Sequence, residues 1–430
     1  MIFKFRYQEK GKIVKVLWIV NKVFPYPARR LGMKENVFGG WLEGLANKLK
    51  DILGLNLAVA TVYNGNKIAF FEDNNIKYYL IPGFPAIKYN KKLEQYWKYV
   101  KTQFNPDIVH IHGSEYSHGL AFVNTFTEIK TVVSIQGLIS KCEEVYYANM
   151  DFSDILKNIT FRDFIKCDNL INQKHKFKIR GKNEIELLRK VKFVIGRTNW
   201  DYANVKAINP DVKYYKGNET LRNSFYNKKW DINKIERNSI FCSQAGYPIK
   251  GFHFLIQAIY LLKKVKPDIR LYVAGQNLFD ASIKSKIKRS GYTNYVLKLI
   301  KKYNVEEQII FLGLLTENQM VDRLLKTNVF VLPSVIENSS NSLCEAMLLG
   351  MPCVASNSGG TMDLLENRKE GFLYPYTEPA LCAEYILNFL NDANLAVKMG
   401  ENARNKALVR HNPEKNVKEI IDIYKDILSF

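Results

Sequence analysis

The length and composition of the chain exclude several classes of protein. Of its 430 residues 47% are apolar and 24% are charged, a balance that is typical of globular proteins and excludes intrinsic disorder. A chain of this length is expected to form two domains of about 200 residues each. No run approaches the roughly 20 apolar residues of a membrane-spanning helix, and residues 1–15 lack the apolar core of a secretory signal.

The first half of the chain predicts a doubly wound sheet. Helices are expected near residues 41–51 and 91–104, between apolar runs of strand length. Such alternation favours a parallel α/β arrangement. Residues 138–192 interrupt it as a polar, mostly helical insertion. The predicted strands are Val14–Val20, Leu55–Val62, Tyr78–Ile81, Asp107–Ile111, Thr131–Ile135 and, after the insertion, Phe193–Ile195.

The second half repeats the pattern after a charged connector. We predict an N-terminal domain over 1–218, a linker over 219–238, a C-terminal domain over 239–411, and a helix over 412–430 that could pack back on the first domain. The fold class is thus α/β, with two Rossmann-like domains facing each other across a ligand-binding cleft. The predicted strands are Ile240–Cys242, Arg270–Ala274, Gln308–Phe311, Val329–Leu332 and Pro352–Ala355.

Charge and cysteine content bear on partners and location. The net charge is +21, and the densest basic stretch is Lys174–Lys192. Nucleic acid, anionic lipid or an anionic substrate could each match such a surface, and so could solvent alone, and charge does not choose among them. The six cysteines are far apart, without paired metal-ligand spacing. We therefore expect free thiols in a reducing cytoplasm.

The most informative segment runs from Pro333 to Met347. Glu337 falls in the loop after a predicted strand, and Glu345 falls near the start of the next helix. Small polar residues and helix N-terminal amides lie between these carboxylates, which suits a diphosphate and its neighbouring hydroxyls. Ser342 with Glu345 also matches a capping box, a purely structural role. No comparable structural role is evident for Glu337.

This segment resembles the signature of the family 4 glycosyltransferases, which have the GT-B fold. Glu337 and Glu345 are separated by seven residues and followed by Ala346-Met347 and Gly350-Met351-Pro352, as in that family. Other elements similar to family motifs occur in order along nearly the whole chain. They are Gly39-Gly40, Asp107–Gly113, Val194–Asp201, Gly246–Gly251, Val273–Gly275, Phe311–Gly313, Ser358–Asp363 and Glu370–Leu373.

The resemblance implies a role for each matching residue. Lys250 would bind the donor diphosphate and offset its charge as the sugar leaves. Glu337 would bind the donor sugar and stabilise positive charge at its anomeric carbon, so these two residues are the predicted catalytic pair. Glu345 would accept hydrogen bonds from the ribose. The other donor-binding positions are Gly39, Gly40, Gln244, Gly251, Leu312, Gly313, Asn338, Asn341, Ser342 and Leu343.

Two positions depart from the family pattern. Many members have an arginine where this chain has Ala245 and a histidine where it has Gln136. A glutamine can bond to a sugar hydroxyl but cannot take up a proton near neutral pH. His110 is expected to face the core and His112 to lie nearer the site. The acceptor-side or sugar-binding candidates are His112, Gln136, Arg197 and Thr198.

The implied function is retaining hexosyl transfer from a UDP- or GDP-sugar, without a metal or other cofactor. The acceptor would be a saccharide or lipid-linked saccharide of cell-surface polysaccharide or glycolipid synthesis, reached from the cytoplasm, with an anionic membrane surface as a further partner. An epimerase or a phosphorylase on the same fold is the alternative. A nucleic-acid-binding protein is a remote one, because no zinc-finger spacing or RNA-binding signature occurs.

Overall fold

The computed structural model describes residues 13–34, 40–83, 87–280, 282 and 287–430. The chain divides into two units, each built around its own sheet. Because both units are discontinuous, the chain passes between them four times. The first unit comprises Met1–Lys141, Phe177–Thr220 and His411–Phe430, and the second comprises Cys142–Lys176 and Leu221–Arg410.

The first sheet has eight strands. They are β1 (Val14–Ile19), β2 (Leu55–Tyr63), β3 (Ala69–Asp73), β4 (Ile76–Pro82), β5 (Ile108–His112), β6 (Thr131–Ser134), β7 (Phe193–Gly196) and β8 (Lys213–Lys216). Their spatial order is β3-β4-β2-β1-β5-β6-β7-β8, and each pair is parallel except β3 with β4. Strands β2 to β4 lie on one side of β1, and β5 to β8 lie on its other side. The order therefore reverses between β1 and β5, which is a topological switch point.

The central strands are apolar because both faces of the first sheet are covered. Along β1, Trp18 faces a core that includes Tyr424, whereas Leu17 faces a second core that includes Trp97. Strands buried on both faces are expected to be continuous apolar runs without alternation. The helices of this unit are Pro25–Arg30, Gly40–Leu49, Leu93–Phe104, Ser117–Thr125, Asn199–Ile208 and Pro413–Ser429, and two more, Ile139–Glu144 and Leu170–Lys190, belong partly to it and partly to the second unit.

The second sheet has six strands, all parallel. They are β9 (Glu236–Cys242), β10 (Arg270–Ala274), β11 (Ile309–Gly313), β12 (Thr327–Leu332), β13 (Cys353–Ser356) and β14 (Phe372–Tyr374). Their order, β11-β10-β9-β12-β13-β14, reverses between β9 and β12. This second switch point positions the candidate site.

The helices of the second unit flank this sheet or belong to the insertion. The α-helices are Phe152–Lys157, Phe161–Lys166, Phe252–Val265, Gly291–Tyr303, Glu317–Leu325, Asn341–Leu349, Thr361–Leu364, Pro379–Asn391 and Ala393–Arg410. Short 3₁₀ turns occur at Asn223–Phe225, Ile232–Lys234, Pro248–Lys250 and Glu306–Gln308. No helix in the described part of the chain is long and apolar enough to cross a membrane.

The helical insertion differs from the sequence expectation. The sequence places all of 138–192 in the first domain, whereas in the structure residues 142–176 belong to the second unit. Specific contacts explain the difference. His253 Nε2 lies 2.9 Å from the carbonyl oxygen of Ala148, and Gly291 N donates to Asp163 Oδ2 at 2.7 Å. These polar contacts fix the insertion to helices of the second unit.

The predicted linker and the last helix can also be compared with the observed units. The predicted linker 219–238 is divided, because the second unit begins at Leu221 and β9 begins at Glu236. The last helix, Pro413–Ser429, belongs to the first unit, where Trp18 Nε1 donates to the Tyr424 hydroxyl at 2.9 Å. All six cysteines are free thiols, and four of them are buried.

Candidate active site

A cation and a carboxylate meet at the switch point of the second sheet. Lys250 follows β9 and Glu337 follows β12, and Lys250 Nζ lies 2.5 Å from Glu337 Oε1. Ser334 Oγ donates to the same carboxylate oxygen at 2.8 Å. Burial acts to lower the pKa of the Lys250 ammonium, but the Glu337 carboxylate outweighs burial and the pKa is raised. Lys250 is therefore a cation at every physiological pH.

Two glycines allow the loops that carry this pair to pack closely. Gly251 has φ +67°, and a Cβ there would overlap the carbonyl oxygen of Pro333. Gly359 has φ +56°, and a Cβ there would overlap the carbonyl oxygen of Glu337, which also accepts a 2.9 Å hydrogen bond from Gly360 N. A side chain at Gly251 or Gly359 would force the backbone of the pair apart.

The helix Asn341–Leu349 begins beside the pair, and its cap is not the predicted one. Ser340 Oγ accepts from Leu343 N at 3.5 Å, so Ser340 is the N-cap and the proposed Ser342–Glu345 capping box is not formed. Ser342 Oγ instead lies 3.1 Å from the Ser243 and Ser340 hydroxyls. Among the described residues none donates to the buried Oδ1 of Asn341. The helix start thus offers amides, hydroxyls and an unused acceptor.

Glu345 is held by an arginine that the sequence did not single out. Arg222 Nε lies 2.6 Å from Glu345 Oε1, and Arg222 Nη2 lies 2.7 Å from Oε2. Burial raises the pKa of Glu345, and the guanidinium offsets part of that rise. This bidentate geometry fixes the carboxylate plane. No local pattern marks Arg222, because its partner lies 123 residues further along the chain.

The other donor-side candidates occupy different places. Ala245, at the position where many family members have an arginine, is buried and uncharged. The backbone carbonyl oxygen of Gln244 accepts a hydrogen bond from the Cys242 thiol at 3.4 Å. Leu312 and Gly313 end β11, which lies two strands away from β9 in the sheet. Gly251 and Leu343 lie in the loop and helix start described above, as does the buried Asn338. Gly40 begins a helix of the first unit, and Gly39 lies outside the described residues.

In the first unit, a buried histidine ends the strand at the switch point. His112 is the last residue of β5, and no described residue hydrogen-bonds to either of its ring nitrogens. Burial lowers its pKa well below the usual value, so the ring is neutral. It stacks on His110, with ring centroids 3.7 Å apart. His110 instead has both nitrogens engaged, 2.7 Å from the Tyr424 hydroxyl and 2.6 Å from Ser134 Oγ.

The other first-unit candidates are more firmly tied to the fold. Arg197, which follows β7, forms a buried ion pair with Glu219. Thr198 caps the helix Asn199–Ile208, because its hydroxyl accepts from Asp201 N at 3.1 Å. Gln136 is half-buried in the loop after β6. Of this group His112 has the most freedom to bind a ligand, since Thr198 and Arg197 already have structural partners.

The second-unit arrangement suits an anion that is flanked by hydroxyl-rich groups. Lys250 and the start of the helix Asn341–Leu349 supply positive charge at one place, and Glu337 and Glu345 supply acceptors on either side. Two doubly wound sheets with such a site in the second are characteristic of proteins that bind nucleotides or nucleotide sugars.

Comparison with known families agrees with this class. Residues 224–406 match the model of Glycosyl transferases group 1. This range includes the whole second sheet and the loops that carry Lys250 and Glu337. A segment of 133 residues is 29% identical to N-acetyl-alpha-D-glucosaminyl L-malate synthase of Bacillus anthracis and covers 31% of this chain and 34% of that protein. The Escherichia coli UDP-Gal:alpha-D-GlcNAc-diphosphoundecaprenol alpha-1,3-galactosyltransferase is 27% identical over 198 residues, 45% of this chain and 47% of that protein.

The chain has the GT-B fold, and its residues 224–406 are similar to the group 1 glycosyltransferases. The alignments to these two relatives span half of their length or less. The fold match is broader. The sucrose-phosphate synthase of Thermosynechococcus elongatus aligns with a TM-score of 0.70 over 97% of this chain and 99% of that one, at 15% identity.

Proposed function

We propose that this chain is a retaining, metal-independent hexosyltransferase that uses a UDP- or GDP-sugar. The observation that carries the proposal is the Lys250–Glu337 pair beside the start of the helix Asn341–Leu349, at the switch point of the second sheet. This is the position at which doubly wound sheets bind phosphorylated ligands. The name of the Escherichia coli relative includes the donor UDP-Gal, which favours UDP over GDP.

Each charged group has a task in this mechanism. Lys250 and the helix amides bind the diphosphate and stabilise the charge that it gains as it leaves. Glu337 stabilises positive charge that develops at the anomeric carbon, and Glu345, oriented by Arg222, accepts from the ribose hydroxyls. These protein cations take the part that a divalent ion has in other transferases.

Retention follows from a front-side displacement. The bond between the anomeric carbon and the diphosphate oxygen breaks, and the diphosphate leaves with the electron pair. The acceptor hydroxyl oxygen bonds to the same face of the anomeric carbon, and its proton passes to the departing diphosphate. No carboxylate is assigned as a covalent nucleophile, because Glu337 and Glu345 are already engaged with Lys250 and Arg222.

We further propose that the acceptor is a saccharide, free or attached to a lipid, in cell-surface polysaccharide or glycolipid synthesis at the cytoplasmic face of a membrane. The Escherichia coli relative acts, by its name, on a diphosphoundecaprenol-linked sugar. His112 would bind sugar hydroxyls, because its buried ring offers a neutral donor and acceptor. A polar group that is buried without a partner is costly, and a ligand hydroxyl would remove this cost.

The test is a screen of UDP- and GDP-hexoses with the purified chain, first for slow hydrolysis and then for transfer to candidate saccharides. We expect turnover of one donor to persist in excess EDTA, and proton NMR of the first-formed product to show the donor's anomeric configuration. An inverted product would contradict the displacement. Activity that is lost in EDTA and restored by magnesium or manganese would contradict metal independence.

A further inference from the structure

An apolar patch stands exposed on the helical insertion of the second unit. The patch combines six side chains of the segment 152–165 with one from residue 287, and their exposed fractions range from 38% to 77%. The two segments are joined, because Thr160 Oγ1 donates to the carbonyl oxygen of Arg289 at 2.9 Å. The patch consists of Phe152, Leu156, Ile159, Phe161, Phe164, Ile165 and Ile287.

The exposed side chains belong to anchored helices. Phe152–Lys157 and Phe161–Lys166 each turn one buried residue inward, Ile155 and Asp163 respectively. Asp163 completes a capping box with Thr160 and accepts from Gly291 N. This anchoring fixes which side of each helix faces outward. Soluble monomers rarely collect so many large apolar side chains in one exposed surface, and such patches mark interaction sites.

Lysines without ionic partners border the patch. The exposed side chains of Lys157, Lys166 and Lys288 form no ion pair with any residue that the structure describes. The acidic groups nearby are largely neutralised. Asp163 is buried in its cap, and Asp168 pairs with Arg162 at 3.1 Å and with Lys176 at 2.9 Å.

The remaining acidic groups lie at one end of the patch. Asp151 is exposed and Asp154 is half-buried, and both are close enough to Tyr295 to help raise the pKa of its hydroxyl, although burial is the main cause. The part of the patch that carries Phe161, Phe164 and Lys166 is therefore more cationic than the helix Phe152–Lys157, where Lys157 offsets the charge of Asp154.

The basic stretch that the sequence proposes for membranes lacks these properties. Lys174 lies 3.8 Å from Glu143 and over the ring of Tyr147, and Arg180 Nε donates to the carbonyl oxygen of Glu115 at 2.8 Å. Lys190 pairs with Glu186 at 2.8 Å. Within residues 170–192, all of which are described, no large apolar side chain is exposed. Several cations of this stretch are therefore engaged in contacts within the protein, and no exposed apolar surface adjoins them.

We propose that the apolar patch and its three lysines form a docking surface for a lipid bilayer that contains anionic lipid. Phenylalanine, leucine and isoleucine would insert at the boundary between headgroups and acyl chains, and the lysines would contact anionic headgroups. A second copy fits less well, because two-fold pairing through the patch would bring like-charged lysines together. Together the two contributions give stable binding where either alone would be marginal.

The experiment measures partition of the full chain onto sedimenting vesicles, of phosphatidylcholine alone or with about a third phosphatidylglycerol. The parent should bind the anionic vesicles more tightly. The double variant Phe161→Ser and Phe164→Ser should lower the partition coefficient roughly tenfold or more. Replacing Lys157, Lys166 and Lys288 by Gln should lower it about fivefold for each residue on anionic vesicles, and should have little effect on neutral ones.

Two matched controls distinguish binding through the patch from nonspecific binding through other exposed apolar side chains or lysines. Val265→Ser with Val409→Ser removes two other exposed apolar side chains of the second unit. Lys178→Gln, Lys182→Gln and Lys192→Gln removes three exposed cations of the basic stretch. Both controls should bind vesicles within about twofold of the parent, since neither alters the proposed contact surface. Circular dichroism and thermal unfolding should be unchanged in all four variants.

Three outcomes would overturn the proposal. The first is equal vesicle binding by the phenylalanine variant and the parent. The second is a loss of binding that occurs only in the triple control at Lys178, Lys182 and Lys192. The third is a concentration-dependent dimer that the phenylalanine variant abolishes, while neither protein binds vesicles. Sedimentation velocity detects the dimer. Vesicle binding is measured without donor sugar, so its failure would leave the proposed transfer chemistry untouched, and the reverse also holds.

Discussion

In each sheet a side-chain contact joins the two loops at the switch point, and these two contacts differ in charge. In the first sheet Asn21 follows β1 and Glu115 follows β5, and Asn21 Nδ2 donates to Glu115 Oε2 at 2.7 Å. In the second sheet Lys250 follows β9 and Glu337 follows β12, 2.5 Å apart. The same topology thus carries a neutral donor in one unit and a cation in the other.

The difference shows how one fold can suit two kinds of ligand. Burial raises the pKa of Glu115 to about 7, so near neutral pH this carboxyl is protonated in about half of the molecules, and the ring of His112 in the same unit is neutral. At the second, Lys250 keeps a fixed positive charge. A diphosphate is matched by the second, whereas uncharged hydroxyls are matched by the first.

The largest effect is expected from Glu337→Gln. If the charge at the second switch point acts on the transition state, turnover should fall roughly 10²–10³-fold while UDP affinity is kept or improved, because Lys250 is released from its partner. Initial rates and calorimetry with UDP measure the two quantities. Glu366→Gln, which alters an exposed carboxylate paired with Lys369, is the control. Unchanged turnover would remove Glu337 from the mechanism.

The next effect is on nucleotide binding. Lys250→Ala removes the fixed cation, so UDP and GDP should bind more weakly by roughly 1.5–3 kcal/mol, the value of a hydrogen bond to a charged group. Lys229→Ala, which breaks the exposed pair with Glu401, should leave calorimetric affinities unchanged. If Lys250→Ala binds both nucleotides as well as the parent, the phosphates lie elsewhere.

The pH dependence of stability tests the raised pKa of Glu115 at the switch point of the first sheet. Folding raises the pKa of Glu115 from 4.5 to about 7, so the native state holds this proton more tightly than the unfolded chain does. The contribution is complete below pH 4.5 and is lost as the pH rises through 7. Between pH 5 and pH 8 the unfolding free energy of the parent should fall by about 2 kcal/mol more than that of Glu115→Gln. If the unfolding free energies of the parent and Glu115→Gln change in parallel with pH, a raised pKa of Glu115 in the native state is refuted.

The smallest effect is expected at His112. His112→Leu removes the hydrogen-bonding ring while keeping an apolar side chain, so the KM for donor sugar or acceptor should rise roughly fivefold, about 1 kcal/mol. UDP affinity should stay the same, because the diphosphate is assigned to the second unit. His112→Gln should restore part of the loss. If both variants keep the parent's KM values, the ring serves packing alone.

The central strands of both sheets are predictable from the sequence because they are continuous apolar runs. Arg270–Ala274 has the predicted bounds, and the other predicted strands shift by a few residues at their ends. The apolar pattern does not mark Phe372–Tyr374, which only the family resemblance of Glu370–Leu373 indicates. The sequence misses the strands Ala69–Asp73 and Lys213–Lys216, which have no fully buried residue. Both strands are at the two edges of the first sheet, where only one neighbour constrains the pattern. Their pairing depends on tertiary contacts rather than on composition.

For the site, family resemblance predicts roles for Lys250 and Glu337, and the structure brings these two side chains into contact. The Ser342–Glu345 capping box was wrong, because Ser340 lies at the true cap position and Arg222 captures the glutamate. Helix boundaries of one or two residues decide such motifs, and sequence patterns do not resolve them. Long-range ion pairs are equally invisible to a local pattern, which explains why Arg222 was missed.

The interleaved units have a consequence for biosynthesis. Residues 221–410 of the second unit form one unbroken stretch, whereas the first unit lacks its final helix until residues 411–430 have been made. That helix supplies the Tyr424 hydroxyl, which accepts from Trp18 Nε1 of β1. Since domains generally fold as units during synthesis, the unit that is translated first would be completed last. Trp18 therefore gains this hydrogen bond only after the whole second unit has been synthesised.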